Sequence, residues 1–296
     1  MRKTCFDMIY ELAKKDKRIV YIGSDVGAGT LQKMKEEMPN QFFMEGIQEQ
    51  NIIGMATGLA LSGRIVYVNT LACFLTRRCY EQVYLDVGLH NANVRLLGNG
   101  GGLVYAPLGP SHIACDDIAL MRNIPNMTIV APADADEMAR LMPQTVDYQG
   151  PMYIRLAIGG DPIVSKPPFE IGRAILMKEG ERALVITTGI TLKLVMAVDD
   201  VTVIHLPTPK PIDEWLITKH AIGARRVIVI EEHNFTGGIG SAVAEIICAR
   251  RLSSYLCVKN FYRISIPDVY VDRYGTQESL MEYYGITTEG IENAIS

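Results

Sequence analysis

Short runs of β-branched and aliphatic residues alternate along the chain with segments whose apolar side chains recur at helical spacing. The runs are "RIVYIGSD" (18–25), "RIVYVNT" (64–70), "VRLLGN" (94–99) and "MTIVAPAD" (127–134), followed by strands predicted over 183–188, 201–206 and 227–231. Continuous apolar runs that alternate with amphipathic segments predict βαβ units, hence parallel sheets covered by helices on both faces. Several runs end in polar or glycine-rich turns, where open α/β sheets place ligands at the carboxyl ends of their strands. Both periodicities fail at "GGDPIVSKPPFEIG" (159–172), which reads as a linker. The expected organisation is a domain over 1–160, a linker over 161–172 and a smaller α/β domain over 173–296.

Composition narrows the class. With 48% hydrophobic and 21% charged residues and a net charge of −4 over 296 residues, the chain reads as a soluble globular protein without a basic face for nucleic acid. The longest weakly polar stretch is shorter than the roughly 20 residues of a membrane span, and the amino-terminal segment lacks a secretory pattern, so a cytoplasmic location is expected. Cysteines 5, 73, 79, 115, 248 and 257 form no CxxC pair, which fits buried reduced thiols better than a disulfide framework or zinc site.

Four motifs carry candidate chemistry. In "FMEGIQEQNIIGMATGLALSG" (43–63), Glu49 stands directly ahead of an almost wholly apolar helix. It either caps the first turn or is a carboxyl group whose pKa burial raises, so that it serves as a hydrogen-bond donor near neutrality. Gly54 and Gly58 share one helical face and would admit another helix, suggesting burial between subunits. In "NTLACFLTRRCYEQVYLDVG" (69–88), Phe74, Arg77, Arg78 and Tyr80 bring a flat ring and cations onto one element; the bland alternative is simple core. In "GNGGGLVYAPLGPSHIACDDIALMR" (98–122), the glycine run would let backbone approach a ligand, and His112 sits in a turn ahead of a helix. "EEHNFTGGIGSAVAE" reads either as a phosphate-cradling turn or as a tight strand-to-helix turn without a ligand.

Taken in order, "GSDVG", "GIQEQNIIGMATGLALSG", "FLTRRCYEQV", "IACDDIALMRNIPNMTIVAPAD" after "GPSH", "YIRL", "HLPTPKPID" and "EEHNFTGGIGSAVAE" resemble the carboxyl-terminal half of transketolases over nearly the whole chain. The resemblance implies a pyrimidine-binding thiamine-diphosphate domain followed by the smaller transketolase carboxyl-terminal domain, where the "EEHN" turn is usually structural. It places Glu49 as the cofactor-activating glutamate on the aminopyrimidine ring, Phe74 as the stacking ring, Arg77 in the same wall, and Asp25 and Val26 in the loop near the thiazolium. His112, Arg155 and Arg2 match positions that meet sugar hydroxyls or a substrate phosphate, and His112 joins Glu49 as a catalytic candidate. The family holds its diphosphate and Mg2+ (or Ca2+) through a GDG motif that this chain lacks. The resemblance therefore implies a separate partner subunit carrying that domain, in an α2β2 assembly that transfers a two-carbon ketol unit from a ketose to an aldose. Leu108, Gly100 and Gly29 replace an aspartate, a histidine and a serine of the sugar-phosphate enzymes, which implies a non-standard sugar. Two other readings stay open: the β subunit of a 2-oxoacid dehydrogenase, and a non-catalytic assembly subunit. The stretch near 189–201 is shorter than in relatives.

Overall fold

The computed structural model describes residues 1–24, 31–249 and 260–296. The first sheet contains β1 (Ile19–Gly23), β2 (Phe42–Met44), β3 (Ile65–Leu71), β4 (Val94–Asn99), β5 (Thr128–Val130) and β6 (Met152–Leu156). They lie in the order β2-β1-β3-β4-β6-β5, and every pairing is parallel. Strand residues alternate between faces. Ile19, Tyr21, Ile65 and Tyr67 join a cluster with Phe6 and Ile9 of helix Arg2–Lys15. Their neighbours Val20, Ile22, Val66 and Val68 pack with Ile52, Ile53 and Ala56 of helix Glu49–Leu61. Because both faces are covered, β1, β3 and β4 are buried at every position, and this explains why their sequences read as unbroken apolar runs.

The second sheet contains β7 (Ile175–Lys178), β8 (Leu184–Thr187), β9 (Thr202–His205), β10 (Val227–Asn234) and β11 (Phe261–Ile266). Its order is β11-β10-β8-β9-β7, with β7 antiparallel at one edge. Strands β2, β6, β7 and β11 fall outside the runs expected from the sequence. The segment between β8 and β9 is continuous: a 3-10 turn, Gly189–Thr191, leads into the short helix Leu192–Met196. Among the described residues, no helix is long and apolar enough to cross a membrane.

The two sheets are tied together along edge strand β5. Ile129 N donates to Lys210 O and Ala131 N to Pro207 O, each at 2.8 Å, so the "LPTPKP" turn of the second sheet satisfies backbone groups at the edge of the first.

The topology also fixes where a ligand belongs. The chain leaves β1 outward to β2, then returns across β1 to β3, so the strand order reverses between β1 and β3. Loops leaving the carboxyl ends of strands at such a reversal diverge and leave a crevice. Glu49 follows β2, Phe74 follows β3 and His112 follows β4, so three separate loops deliver candidates to one edge.

Candidate active site

Glu49 is the first residue of its helix and is only 3% exposed. Gln48 occupies the N-cap position, and Glu49 lies in the first turn near the positive end of the helix dipole. Its Oε2 accepts a hydrogen bond from Arg78 Nη1 at 2.9 Å. Arg78 closes the stretch Phe74–Arg78, which is π-helical. That wider turn decides which of two adjacent arginines meets the carboxylate. Arg78 does so, with its Cζ also lying 4.0 Å from the centroid of the Phe74 ring. Phe74 in turn meets His112 edge-on, with centroids 5.4 Å apart and planes at 64°. Glu49, Arg78, Phe74 and His112 thus form one continuous series of contacts.

Arg77, expected in the same wall, directly precedes Arg78 in the same π-helical stretch. It donates to Ile113 O at 2.9 Å and pairs with Asp116 at 3.3 Å, fastening the π-helical stretch to the loop that carries His112. Beside it a cleft of roughly 350 Å³ opens between that loop and Asp268 and Tyr270 of the second sheet's carboxyl-terminal segment. His112 is half-buried, and its Nδ1 shares a 2.8 Å hydrogen bond with Ser111 Oγ. Arg2 opens the first helix next to Met1, whose Sδ accepts from Ala157 N just beyond β6, so Arg2 stands at the same carboxyl edge of the sheet. Asp25 and Val26 lie outside the described residues.

Arg155, expected to meet a substrate phosphate, lies in a seam between the two sheets. Its Nε donates to Asp117 Oδ2 at 2.8 Å and its Nη2 to the carbonyl of Glu232 at 2.8 Å, in a seam where all three residues are buried. Two of its guanidinium nitrogens are thus engaged by the protein itself. Tyr153 donates to the same Asp117 oxygen at 2.8 Å. Glu232 accepts from Leu103 N and Gln277 Nε2. Burial pushes the Glu232 carboxyl above its usual range, although the Arg155 charge and these hydrogen bonds pull the other way. Burial opposes the Arg155 charge, but the Asp117 and Glu232 carboxylates outweigh it and hold its pKa above the ordinary arginine value. None of Asp117, Glu232 or Gln277 was signalled by the sequence, because their partners come from distant segments.

The glycine run packs closely against side chains of the protein itself. A Cβ on Gly98 would overlap the Tyr153 ring, on Gly100 the Tyr105 ring, on Gly101 the Arg155 side chain, and on Gly102 the Glu232 carboxyl group. The run leaves room for the protein's own side chains. The "EEHNFTGGIG" turn is likewise self-filled. Glu231 accepts from Ile239 N at 2.7 Å and Gly240 N at 2.8 Å, so a carboxylate already occupies the helix terminus that could have cradled a phosphate. His233 accepts from Ala119 N through Nε2, and its Nδ1–H donates to Asn234 O. It is a seam residue. Gly54 and Gly58 do share an open face, with no atom within 4 Å of a Cβ built on either.

A buried carboxylate, a ring at stacking distance and a planar cation between them suit an aromatic heterocycle that carries hydrogen-bonding ring nitrogens, as an aminopyrimidine does. Comparison with known proteins agrees in kind. Residues 1–157 match the family description "Transketolase, pyrimidine binding domain", and residues 172–291 match "Transketolase, C-terminal domain". The chain is 35% identical to an apulose-4-phosphate transketolase subunit of Phocaeicola vulgatus, over 98% of this chain and 94% of that one. It is 31% identical to a 6-deoxy-6-sulfo-D-fructose transketolase subunit of Clostridium sp. (strain MSTE9), over 99% and 92% of the two chains. A solved split-gene transketolase, described as an inactive beta4 tetramer, superimposes with a TM-score of 0.87 at 30% identity, covering 99% of this chain and 96% of that chain. The parallel sheet with its smaller mixed companion, the contacts gathered around Glu49 and these matches over both domains together mean that the chain belongs to the transketolase family.

Proposed function

We propose that this chain is the pyrimidine-binding subunit of a two-chain, thiamine-diphosphate-dependent transketolase. In this reading residues 1–160 are the pyrimidine-binding domain, 161–172 a linker and 173–296 the carboxyl-terminal domain. The observation that carries the proposal is the placement of Glu49, enclosed at the strand-order reversal and one guanidinium away from the Phe74 ring.

Thiamine diphosphate, when bound, supplies the means of breaking and remaking the carbon–carbon bond beside a ketose carbonyl. The chain's own part is to hold and orient. Glu49 Oε2 engages a ring nitrogen of the pyrimidine and holds a proton there, in a water-poor setting where such a bond is strong. Phe74 offers its face to the pyrimidine. His112, edge-on to Phe74 and backed by Ser111, is placed to exchange a proton with a sugar hydroxyl through Nε2. Arg2 contributes charge at the same edge, and the family resemblance assigns Asp25 and Val26 to the thiazolium. The diphosphate and its Mg2+ (or Ca2+) are held by a partner subunit with the complementary domain, in an α2β2 assembly in the cytoplasm.

The substrate is proposed to be a ketose other than the common sugar phosphates. Leu108 is 51% exposed beside the His112 loop and offers no hydrogen bond, and the place of a side chain at position 100 is taken by Tyr105. A site without a hydroxyl partner loses the selectivity that such a partner gives. Two relatives bear the names of transketolases for apulose 4-phosphate and 6-deoxy-6-sulfo-D-fructose, which supports a family branch of unusual sugars.

Two measurements test the reading. Exchange of the cofactor C2 proton, followed by NMR in the reconstituted complex, should slow by orders of magnitude in Glu49→Ala; equal rates would remove the assignment of Glu49. Turnover of xylulose 5-phosphate with ribose 5-phosphate should be poor, and efficient turnover would defeat the substrate proposal.

A further inference from the structure

We infer that Arg78 is a built-in stand-in for the pyrimidine ring, which the cofactor must displace in order to bind. The inference rests on the reading of Glu49 and Phe74 given above. Two recognition elements define that wall, a ring face and a buried carboxylate oxygen, and one side chain fills both. The Arg78 guanidinium lies over Phe74 at 4.0 Å and donates to Glu49 Oε2 at 2.9 Å. A guanidinium is planar, stacks on aromatic rings and carries only donors, so it presents a flat face with an N–H toward the carboxylate, as an aminopyrimidine carrying a proton on that ring nitrogen would.

The arrangement has a physical reason. Glu49 is 3% exposed, and a buried carboxylate without a partner is costly. Arg78 removes that cost while the chain lacks the coenzyme. Its own side chain is 45% exposed, so solvent is within reach once it swings off the ring. The backbone need not follow. Gln50 Nε2 donates to Arg78 O at 3.2 Å, and neighbouring Arg77 anchors the same turn to Ile113 O and Asp116. The movement is therefore confined to one side chain, and the two adjacent arginines divide the work: Arg77 fastens the element while Arg78 occupies the site.

Competition of this kind weakens apparent affinity by the fraction of time the place is open, so a site open about one tenth of the time binds about tenfold more weakly. The test is calorimetric titration of thiamine diphosphate with magnesium into the complex of this chain with its diphosphate-domain partner. Arg78→Ala should bind about tenfold more tightly and faster than wild type. Arg78→Lys, which keeps the charge but loses the plane, should fall between them. A second readout uses the full chain alone: Arg78→Ala should lower its thermal midpoint, and Glu49→Gln combined with Arg78→Ala should recover most of the loss. Unchanged or weaker coenzyme binding by Arg78→Ala would overturn the inference. So would a midpoint that Arg78→Ala leaves in place. C2-proton exchange in Glu49→Gln separates the site reading from the stand-in role. Wild-type exchange in that variant removes the reading of the site and this inference with it, whereas abolished exchange together with untightened Arg78→Ala binding removes only the stand-in role.

Discussion

His205 Nε2 and Glu137 Oε2 meet at 2.9 Å across the seam between the two sheets, and neither residue has any exposed surface. His205 ends β9 of the second sheet, while Glu137 lies in helix Ala135–Leu141 beside the first. The same Glu137 oxygen also accepts from Ala133 N at 2.7 Å. Two domains are therefore joined by a polar contact that water does not reach.

Removing His205 takes the side-chain partner from Glu137 Oε2 and leaves that buried carboxylate only the Ala133 N–H. His205→Ala should lower unfolding stability by about 3 kcal/mol, read from urea denaturation of the full chain. Glu137→Gln, which keeps an oxygen for Ala133 N, should cost about half as much. A His205→Ala loss of under about 1 kcal/mol would show that the contact carries little of the seam's stability.

A second seam cluster predicts a pH dependence. Burial raises the Glu232 carboxyl above its usual value of 4.5, so the folded state holds its proton more tightly than the unfolded state does. The associated stability is fully present below pH 4.5 and is lost as pH rises through the elevated folded value. Glu232→Gln keeps an oxygen for Leu103 N and Gln277 and cannot ionise. Its stability relative to wild type should therefore increase as pH rises from 4.5, then level off once Glu232 has titrated. A difference that is flat across that window would contradict the raised value.

Legibility of the fold and site followed the range of the interactions involved. Buried parallel strands such as β1 and β3 announce themselves because covering both faces demands continuous apolar residues. By contrast β2, three residues long, and β7, an antiparallel edge, exist only through their pairings. The local pattern of a carboxylate ahead of an apolar helix singled out Glu49. The resemblance pointed to Arg77, whereas the contact of Arg78 with Glu49 had no local signal, because which arginine faces the carboxylate depends on a π-helical turn. Asp117, Arg155 and Glu232 belong to a seam whose members lie far apart in the chain, so the internal partners of the "YIRL" arginine had no local signal.

Cysteine reactivity offers an independent check on burial. Burial pushes the Cys5 and Cys79 thiols up to about 12 and Cys73 to about 11, and raises Cys115 well above its usual value. Among the described residues only Cys248 is an exposed thiol. In the native chain an aromatic disulfide reagent at pH 8 should label Cys248 within minutes and leave Cys5, Cys73, Cys79 and Cys115 intact until denaturant is added. Peptide mapping identifies the sites. Rapid native labelling of Cys73, which lies next to Phe74, would mean that the site wall opens far more often than its packing implies.

Gly100 and Tyr105 give the sharpest mutational test of the site wall. Gly100 has a φ of +76°, where side chains are disfavoured, and a Cβ there would overlap the Tyr105 ring. That ring packs with Phe74 against Leu71, Ala72, Cys73 and Ala114. Gly100→Ala should cost about 2–4 kcal/mol, combining backbone strain with expulsion of the ring. Only the second part depends on Tyr105. Tyr105→Ala should cost about 3 kcal/mol by itself through the cavity it leaves, while the double variant should lose at least about 1 kcal/mol less than the two single losses combined, because the clash is counted once and then removed. Purely additive losses would mean that Tyr105 yields freely and that position 100 is restricted by its backbone alone.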